Sequence, residues 1–360
     1  MQNQFDDINS PLPSSGANPA ILAGPCSAES RRQMLDTARA LADGGISIFR
    51  AGIWKPRTRP GGFEGVGLPG LDWLAEVKAA TGMAIATEAA TPAHVKAAAA
   101  AGVDILWIGA RTSANPFAVQ EIADALAGIH MPPSVIVKNP VSPDINLWIG
   151  ALQRIREAGI TALGAAHRGF TTYGESLYRN TPHWAIPFEL RRRLPGLTLL
   201  CDPSHIAGRR GLVEQVARKA IAMHFDGLII ECHCSPDEAL SDAAQQLTPA
   251  QLFELIKSLP ASSTAQPDTE LESLREQIDR IDESLIEILA GRMELTDTIG
   301  RYKQRHSISA VQPVRYRSMI ESRTQFGQQL GLSPDFLRVI LSAIHEESVR
   351  RQVEICCKND

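Results

Sequence analysis

Eight short apolar runs recur at nearly even spacing between Ile21 and Leu259, with helical segments between them. The runs fall near residues 20–25, 46–50, 84–88, 105–109, 134–138, 160–164, 198–201 and 227–231. Helical periodicity is legible over 30–43, 71–81, 92–101, 116–128, 146–158 and 209–224. Strands covered on both faces read as continuous apolar runs, and parallel strands need long crossovers, usually helices. Eight such units in about 240 residues predict an α/β fold, a closed (β/α)8 TIM barrel. A doubly wound open sheet is the competing arrangement, but eight evenly spaced strands favour closure.

The pattern changes after Leu259. Ser258–Asp268, rich in Ser, Pro and Ala, is a linker by composition. Beyond it no strand signal remains. Apolar residues at 271, 274, 278, 281, 285 and 288 alternate by three and four within 269–303, as in a packed helix. Pro313 opens a second helix to about Gly331, and Ser333-Pro334-Asp335 opens a third with a capping serine and a first-turn proline. The expected organisation is an irregular lead-in over 1–20, a barrel over 21–259, a linker over 260–268 and a separate all-α three-helix domain over 269–360. The short lead-in leaves no regulatory domain expected ahead of the barrel.

A net charge of −4 and a pI near 6.2 imply neither a nucleic-acid nor a membrane partner. No apolar run reaches a membrane span, and the N-terminus lacks the features of a signal peptide. Six cysteines without a C-x-x-C pair are not a disulfide framework and suit a reducing cytoplasm.

Several strand ends carry chemistry. Cys26 follows the first run, His205 the seventh, and Glu231 ends the eighth, with Asp242 eleven residues later. Singly, each has an ordinary explanation, since strand-end cysteines are mostly small apolar fillers. Together they sit on the face where barrel enzymes place their chemistry. One sulfur, one nitrogen and two carboxylates make a divalent metal site. By strand alternation Glu231 and His233 should share one face, with Cys232 and Cys234 on the other. The same rim carries Arg50, Lys55, Arg57, Arg111, Lys138 and Arg168. Six cations there point to a strongly anionic ligand bearing phosphate and carboxylate groups.

The motifs Gly-Pro-Cys-Ser (24–27), Lys-Pro-Arg-Thr (55–58), Gly-Ala-Arg (109–111), His-Arg-Gly (167–169), Asp-Pro-Ser-His (202–205) and Glu-Cys-His with Leu-Ser-Asp (231–242) follow in order. In this the barrel resembles the metal-dependent 3-deoxy-D-arabino-heptulosonate 7-phosphate (DAHP) synthases, type I, of the compact β subfamily. The resemblance implies condensation of phosphoenolpyruvate with erythrose 4-phosphate and release of phosphate. It implies that Cys26, His205, Glu231 and Asp242 hold the metal, with manganese the family's suggestion over zinc, iron or cobalt. Arg111, Lys138 and Arg168, helped by Arg50 and Lys55, would clamp phosphoenolpyruvate. Arg57 and Thr58 would take the sugar-phosphate end, and Glu88 would lie near the reacting water. Lys55 would protonate the nascent alkoxide or serve as a fixed charge. The competing family, 3-deoxy-octulosonate 8-phosphate synthase, has a longer Lys-Ala-Asn-Arg-Ser motif at the Lys55 position.

In the helical region, Arg292 and Lys303 are eleven residues apart, about three whole turns, and so share a face. Arg275 lies roughly 100° off it, which directs it toward another subunit. Ser348 and Gln352 are neighbours on the third helix. Leu274–Asp282, Arg292, Ile299–Lys303, Pro313–Arg315 and Glu347–Gln352 resemble the all-helical AroQ-type chorismate mutases. That resemblance implies a homodimer with Arg275 crossing to the partner's site. Arg292, Lys303 and Arg315 would hold the carboxylates of chorismate, and Lys303 and Gln352 its ether oxygen, near Ser348. Gln312 and Tyr316 replace acids usual in the family, which leaves a non-catalytic dimerisation or regulatory module as the alternative. Feedback by prephenate through this domain is expected.

Overall fold

The computed structural model describes residues 5, 7–12, 19–55, 61–173, 176–260, 269–309 and 313–357. Two compact units emerge, Met1–Ser263 and Thr264–Asp360. In the first, eight parallel strands close a barrel in chain order. They are β1 (Ala20–Gly24), β2 (Ile48–Arg50), β3 (Ala84–Glu88), β4 (Ile105–Ile108), β5 (Ser134–Lys138), β6 (Leu163–His167), β7 (Thr198–Cys201) and β8 (Gly227–Glu231). Pairing of β1 with β8 closes the ring, with Gly24 opposite Glu231.

The surrounding helices are α1 (Arg31–Asp43), α2 (Pro69–Thr81), α3 (Pro92–Ala100), α4 (Ala110–Ser113), α5 (Pro116–Ala127), α6 (Ile145–Glu157), α7 (Ala185–Arg193), α8 (Pro203–Ala207), α9 (Arg210–Ala222) and α10 (Pro249–Ser258). Their starts are written locally. Ser30, Thr91, Asn115 and Asp144 cap α1, α3, α5 and α6 through side-chain oxygens, and Thr248 forms a capping box with Gln251 at α10. The apolar core lies mainly between strands and helices. A smaller cluster fills the barrel itself: Leu22, Ile48, Ala86, Ile105, Trp107, Ile136, Ala166, Leu200 and Ile229.

One strand differs from expectation. β6 runs Leu163–His167, three residues later than the run at 160–164. Gly164-Ala165-Ala166 has weak strand preference, so the bulkier Ile160 drew the expected strand forward. Register decides otherwise: Val135 pairs with Leu163 and Lys138 with Ala166. The lead-in contributes too. Asn9 bridges to Ala162, and Leu12 packs on the interior cluster. Gly164 is required there, since a Cβ would stand 2.8 Å from Pro11. Helix α7 was hidden by Pro187 within it.

The second unit holds α11 (Thr269–Arg305), α12 (Pro313–Gln329) and α13 (Pro334–Cys357). Ser333 Oγ accepts from Phe336 N at 3.2 Å, capping α13. Gly300 lets α11 and α13 approach closely: a Cβ there would lie 3.0 Å from Ile355 and 3.4 Å from Gln352. Toward its N-terminus α11 leaves Leu274, Ile278, Ile281, Leu285 and Ile288 between 51% and 69% exposed. Among the described residues no helix is long and apolar enough to cross a membrane.

Candidate active sites

Side chains alternate along a strand, so residues two beyond the barrel's inner filling also face its axis. Counting two on from the inner cluster gives Arg50, Glu88, Lys138, Arg168, Asp202 and Glu231, with glycines at 24 and 109. The floor under them is the indole of Trp107. Arg50 lies 4.7 Å from its ring centre and Lys138 5.6 Å, both cation–π distances. Trp107 Nε1 donates to Glu88 at 3.2 Å.

Cys26, Glu231 and Asp242 converge, with one donor atom from each within 4.8 Å of the others. Cys26 Sγ lies 3.3 Å from Asp242 Oδ2, and His205 Nε2 lies 3.7 Å from Glu231 Oε1. His205 Nδ1 is within 3.0 Å of both oxygens of Asp202, the usual way a carboxylate orients a ligating imidazole. His205 thus borders the three-residue cluster with Nε2 toward it. His233 stays apart. The strand ends at Glu231, and His233 instead faces Glu29 at 3.7 Å.

The donor chemistry suits a divalent cation. Burial beside Glu231 pushes the Cys26 thiol up to about 12 even with Lys55 nearby, so a further positive charge at the sulfur is needed to make it a thiolate. Glu231 and Asp242 are held below the carboxylate range despite burial, chiefly by His205, and by Arg50 and Arg179 respectively. One mixed S, N, O set with anionic carboxylates is a borderline donor set, open to several first-row metals.

A cavity of about 70 Å³ adjoins the cluster, lined by Lys55, Glu88, Arg111, Lys138, Arg168, Arg179, His205 and Asp242 among others. The cations do not merely repel. Lys138 Nζ pairs with Asp202 at 2.6 Å, and Lys55 Nζ lies 3.0 Å from Cys26 Sγ. Burial alone would lower Lys55, but Cys26 and Glu231 outweigh it and hold the ammonium above its ordinary range. Burial pulls Arg168 down to about 10, still charged at neutral pH. Arg50 is placed differently from the other cations. It is 1% exposed, bonded to Glu231 at 3.0 Å, and does not line the cavity. Arg57 and Thr58 lie outside the described residues.

Sequence reasoning missed the supporting residues. Asn180 accepts from Arg168 Nη1 at 2.8 Å and donates to the His205 carbonyl at 2.6 Å. Asn139 accepts from Arg168 N at 2.7 Å. Arg179 donates to Asp242 and Gln245. Only Trp107 carried a legible signal, as the bulky member of an inward-facing pair.

In the helical unit a cavity of about 300 Å³ is lined by Arg292, Lys303, Tyr316, Arg323, His345, Ser348 and Gln352, with apolar residues between. Arg292 Nη1 donates to Ser348 Oγ at 2.6 Å, and Lys303 Nζ to Gln352 Oε1 at 2.9 Å. No carboxylate lines it among the described residues. Tyr316 stacks on His345 at 4.2 Å and its hydroxyl bonds Ser342 at 3.1 Å. Arg323 and His345 were not anticipated. Arg275 is exposed, and seventeen residues of helix put it about 25 Å from Arg292 along the axis. The Arg315 side chain and Gln312 lie outside what is described.

A closed eight-stranded barrel with a thiol–carboxylate cluster beside a cation-lined cavity defines a barrel enzyme for anionic substrates. The chain matches the model of the DAHP synthetase I family over residues 12–265, and that of chorismate mutase type II over residues 274–353. It belongs to the DAHP synthetase I family and carries a chorismate mutase type II domain after the barrel in the chain. The phospho-2-dehydro-3-deoxyheptonate aldolase of Thermotoga maritima is 36% identical over 239 residues, covering 66% of this chain and 67% of that protein. A crystal structure of that Thermotoga maritima enzyme, also called DAHP synthase, superposes with a TM-score of 0.59 at 31% identity, over 72% of this chain and 69% of that one. The T-protein of Enterobacter agglomerans is 38% identical over 79 residues, 22% of this chain but only 21% of its own length. A 2-dehydro-3-deoxyphosphooctonate aldolase of Nitratidesulfovibrio vulgaris is 30% identical over 264 residues, 67% of this chain and 90% of that protein.

Proposed function

We propose that the barrel condenses phosphoenolpyruvate with erythrose 4-phosphate to give DAHP and inorganic phosphate, and that the helical unit rearranges chorismate to prephenate. The observation that carries the first reading is the thiol–carboxylate cluster, within 4.8 Å, opening onto a cavity lined with cations. Cys26, His205, Glu231 and Asp242 would hold a divalent ion, manganese in this reading with zinc, iron or cobalt able to use the same donors. A bound ion supplies Lewis acidity toward the aldehyde oxygen. Arg111, Lys138 and Arg168 bind the phosphate and carboxylate of phosphoenolpyruvate. Arg50 contributes from beneath by fixing Glu231. Arg57 and Thr58 take the sugar phosphate. The methylene carbon of phosphoenolpyruvate attacks the aldehyde carbon, and Lys55 supplies fixed positive charge where the alkoxide forms. Glu88, oriented by Trp107, positions the water that adds to the cationic carbon. Loss of phosphate from that adduct leaves the keto acid.

The sugar is the point where the octulosonate reading competes. Phosphate release with erythrose 4-phosphate against arabinose 5-phosphate decides it. The four-carbon sugar should be strongly preferred, and preference for arabinose 5-phosphate would overturn the assignment.

In the helical unit, Arg292, Lys303 and Arg315 hold the two carboxylates, joined by the partner subunit's Arg275 in a homodimer. The exposed apolar ridge on α11 supports that pairing. Ser348 steadies Arg292, and Lys303 and Gln352 donate to the ether oxygen as the bond breaks, an electrostatic catalysis needing no nucleophile. The absence of a carboxylate from the cavity among the described residues and the Tyr316 hydroxyl, engaged by Ser342, favour a second reading: a module that binds prephenate without turning over chorismate. Prephenate formation by the full chain separates the two, and Arg292→Ala should abolish it. Prephenate bound in this unit slows condensation in the barrel. Unchanged phosphate release at saturating prephenate would refute that. Free cysteines throughout suit the cytoplasm.

A further inference from the structure

Gln245 and Gln246 are consecutive, 1% and 0% exposed, and lie at the end of the short turn that follows Asp242. A primary amide buried this deeply is costly unless its polar atoms are bonded. Both side chains are bonded at each end. Gln245 Nε2 donates to Glu231 Oε2 at 2.7 Å, and Gln245 Oε1 accepts from Arg179 Nη1 at 2.9 Å. The same Arg179 nitrogen donates to Asp242 Oδ1 at 2.9 Å. Three hydrogen bonds thus run from Glu231 through Gln245 and Arg179 to Asp242. Gln246 holds the backbone that carries the thiol: its Oε1 accepts from Cys26 N at 2.9 Å and its Nε2 donates to the Ser241 carbonyl at 2.8 Å.

Two ionised carboxylates gathered this closely repel each other. Something must hold them before a cation arrives. Arg50 on Glu231 Oε1 and Gln245 on Glu231 Oε2 fix the first carboxylate. Arg179 on Asp242 Oδ1 fixes the second and leaves its Oδ2 toward Cys26 Sγ. Gln245 does not line the cavity, so it does not meet substrate.

We propose that Gln245 is a positioning residue for the metal centre: its amide couples Glu231 to Asp242 through Arg179 and so sets the affinity for a divalent cation. This rests on reading Cys26, His205, Glu231 and Asp242 as metal ligands. Outer partners of metal ligands typically contribute about 10–100-fold in affinity, and preorganised donors bind more tightly than donors the ion must gather itself.

The test is titration of metal-stripped full-length protein with Mn2+, followed by calorimetry, beside thermal unfolding of the stripped protein. Gln245→Met keeps the volume and removes both hydrogen bonds, and should weaken Mn2+ binding by about 10–100-fold. Arg179→Met breaks the same chain from its other end and stands in if the first variant folds poorly. The double variant should bind about as weakly as the weaker single one, because both interrupt one chain. A Gln245→Met protein with lowered unfolding temperature but wild-type Mn2+ affinity overturns the proposal. So does simple addition of the two losses. Absence of Mn2+ binding by the wild type would instead bring down the metal reading beneath it.

Discussion

His167 should make the barrel unit lose stability in mild acid, and the loss can be sized. The ring is fully buried against Trp148, Phe170, Trp184 and Phe225, and the Pro182 backbone and the Asp202 carboxylate that favour its charged form are too weak to offset that burial. Burial drives its pKa from 6.5 down to about 3. The unfolded chain therefore takes up a proton near pH 6.5 that the folded chain refuses until about pH 3. Unfolding is favoured as pH falls through that window, and below it both states are protonated and the loss stops. Each pH unit inside it is worth about 1.4 kcal/mol, so about 2 kcal/mol is gone at pH 5 and about 5 kcal/mol in all. His167→Phe cannot titrate. All five tryptophans, 54, 73, 107, 148 and 184, belong to the first unit, so urea unfolding read by tryptophan fluorescence reports that unit alone. Between pH 7.5 and 5 the stability difference between variant and wild type should move about 2 kcal/mol in the variant's favour. Any packing cost of the phenyl ring shifts the level but not the slope. Two curves that stay parallel would refute the reasoning.

Two further expectations concern the helical unit. His345 faces Arg292 and Lys303 of α11 and Tyr316 and Arg323 of α12, with Glu346 beside it on its own helix; burial and Arg292 hold its pKa down in the ligand-free protein. A bound dicarboxylate reverses that effect, so prephenate affinity should rise as pH falls from 8 to 6, with proton uptake in calorimetry that His345→Asn removes; affinity independent of pH would contradict this. Gly300→Val should push α13 off α11 at Gln352 and lower prephenate formation on the order of 100-fold, as displacements near 1 Å can, while phosphate release by the barrel persists; an undisturbed mutase rate would contradict the packing argument.

How far the sequence carried can be judged residue by residue. Strand ends at Arg50, Glu88, Lys138 and Glu231 were legible because each closes an apolar run bounded by turn or helix signals. β6 was displaced because Gly164-Ala165-Ala166 has no bulk to mark a strand, and only pairing with β5 fixes its register. Arg50 was legible as a rim cation but not as the buried partner of Glu231, because burial depends on neighbours 181 residues away. Arg179, Asn180, Gln245 and His345 were invisible for the same reason. Each lies in a loop or on a helix face with no local pattern, and takes its meaning from a contact made in three dimensions.

The most direct measurement is phosphate release from phosphoenolpyruvate by metal-stripped protein, with and without erythrose 4-phosphate, before and after divalent metal is restored. Release that requires both the sugar phosphate and the metal, and that Cys26→Ala and Asp242→Ala both eliminate, is the predicted result. Full activity of the stripped protein, or phosphate released without the sugar, would contradict the account.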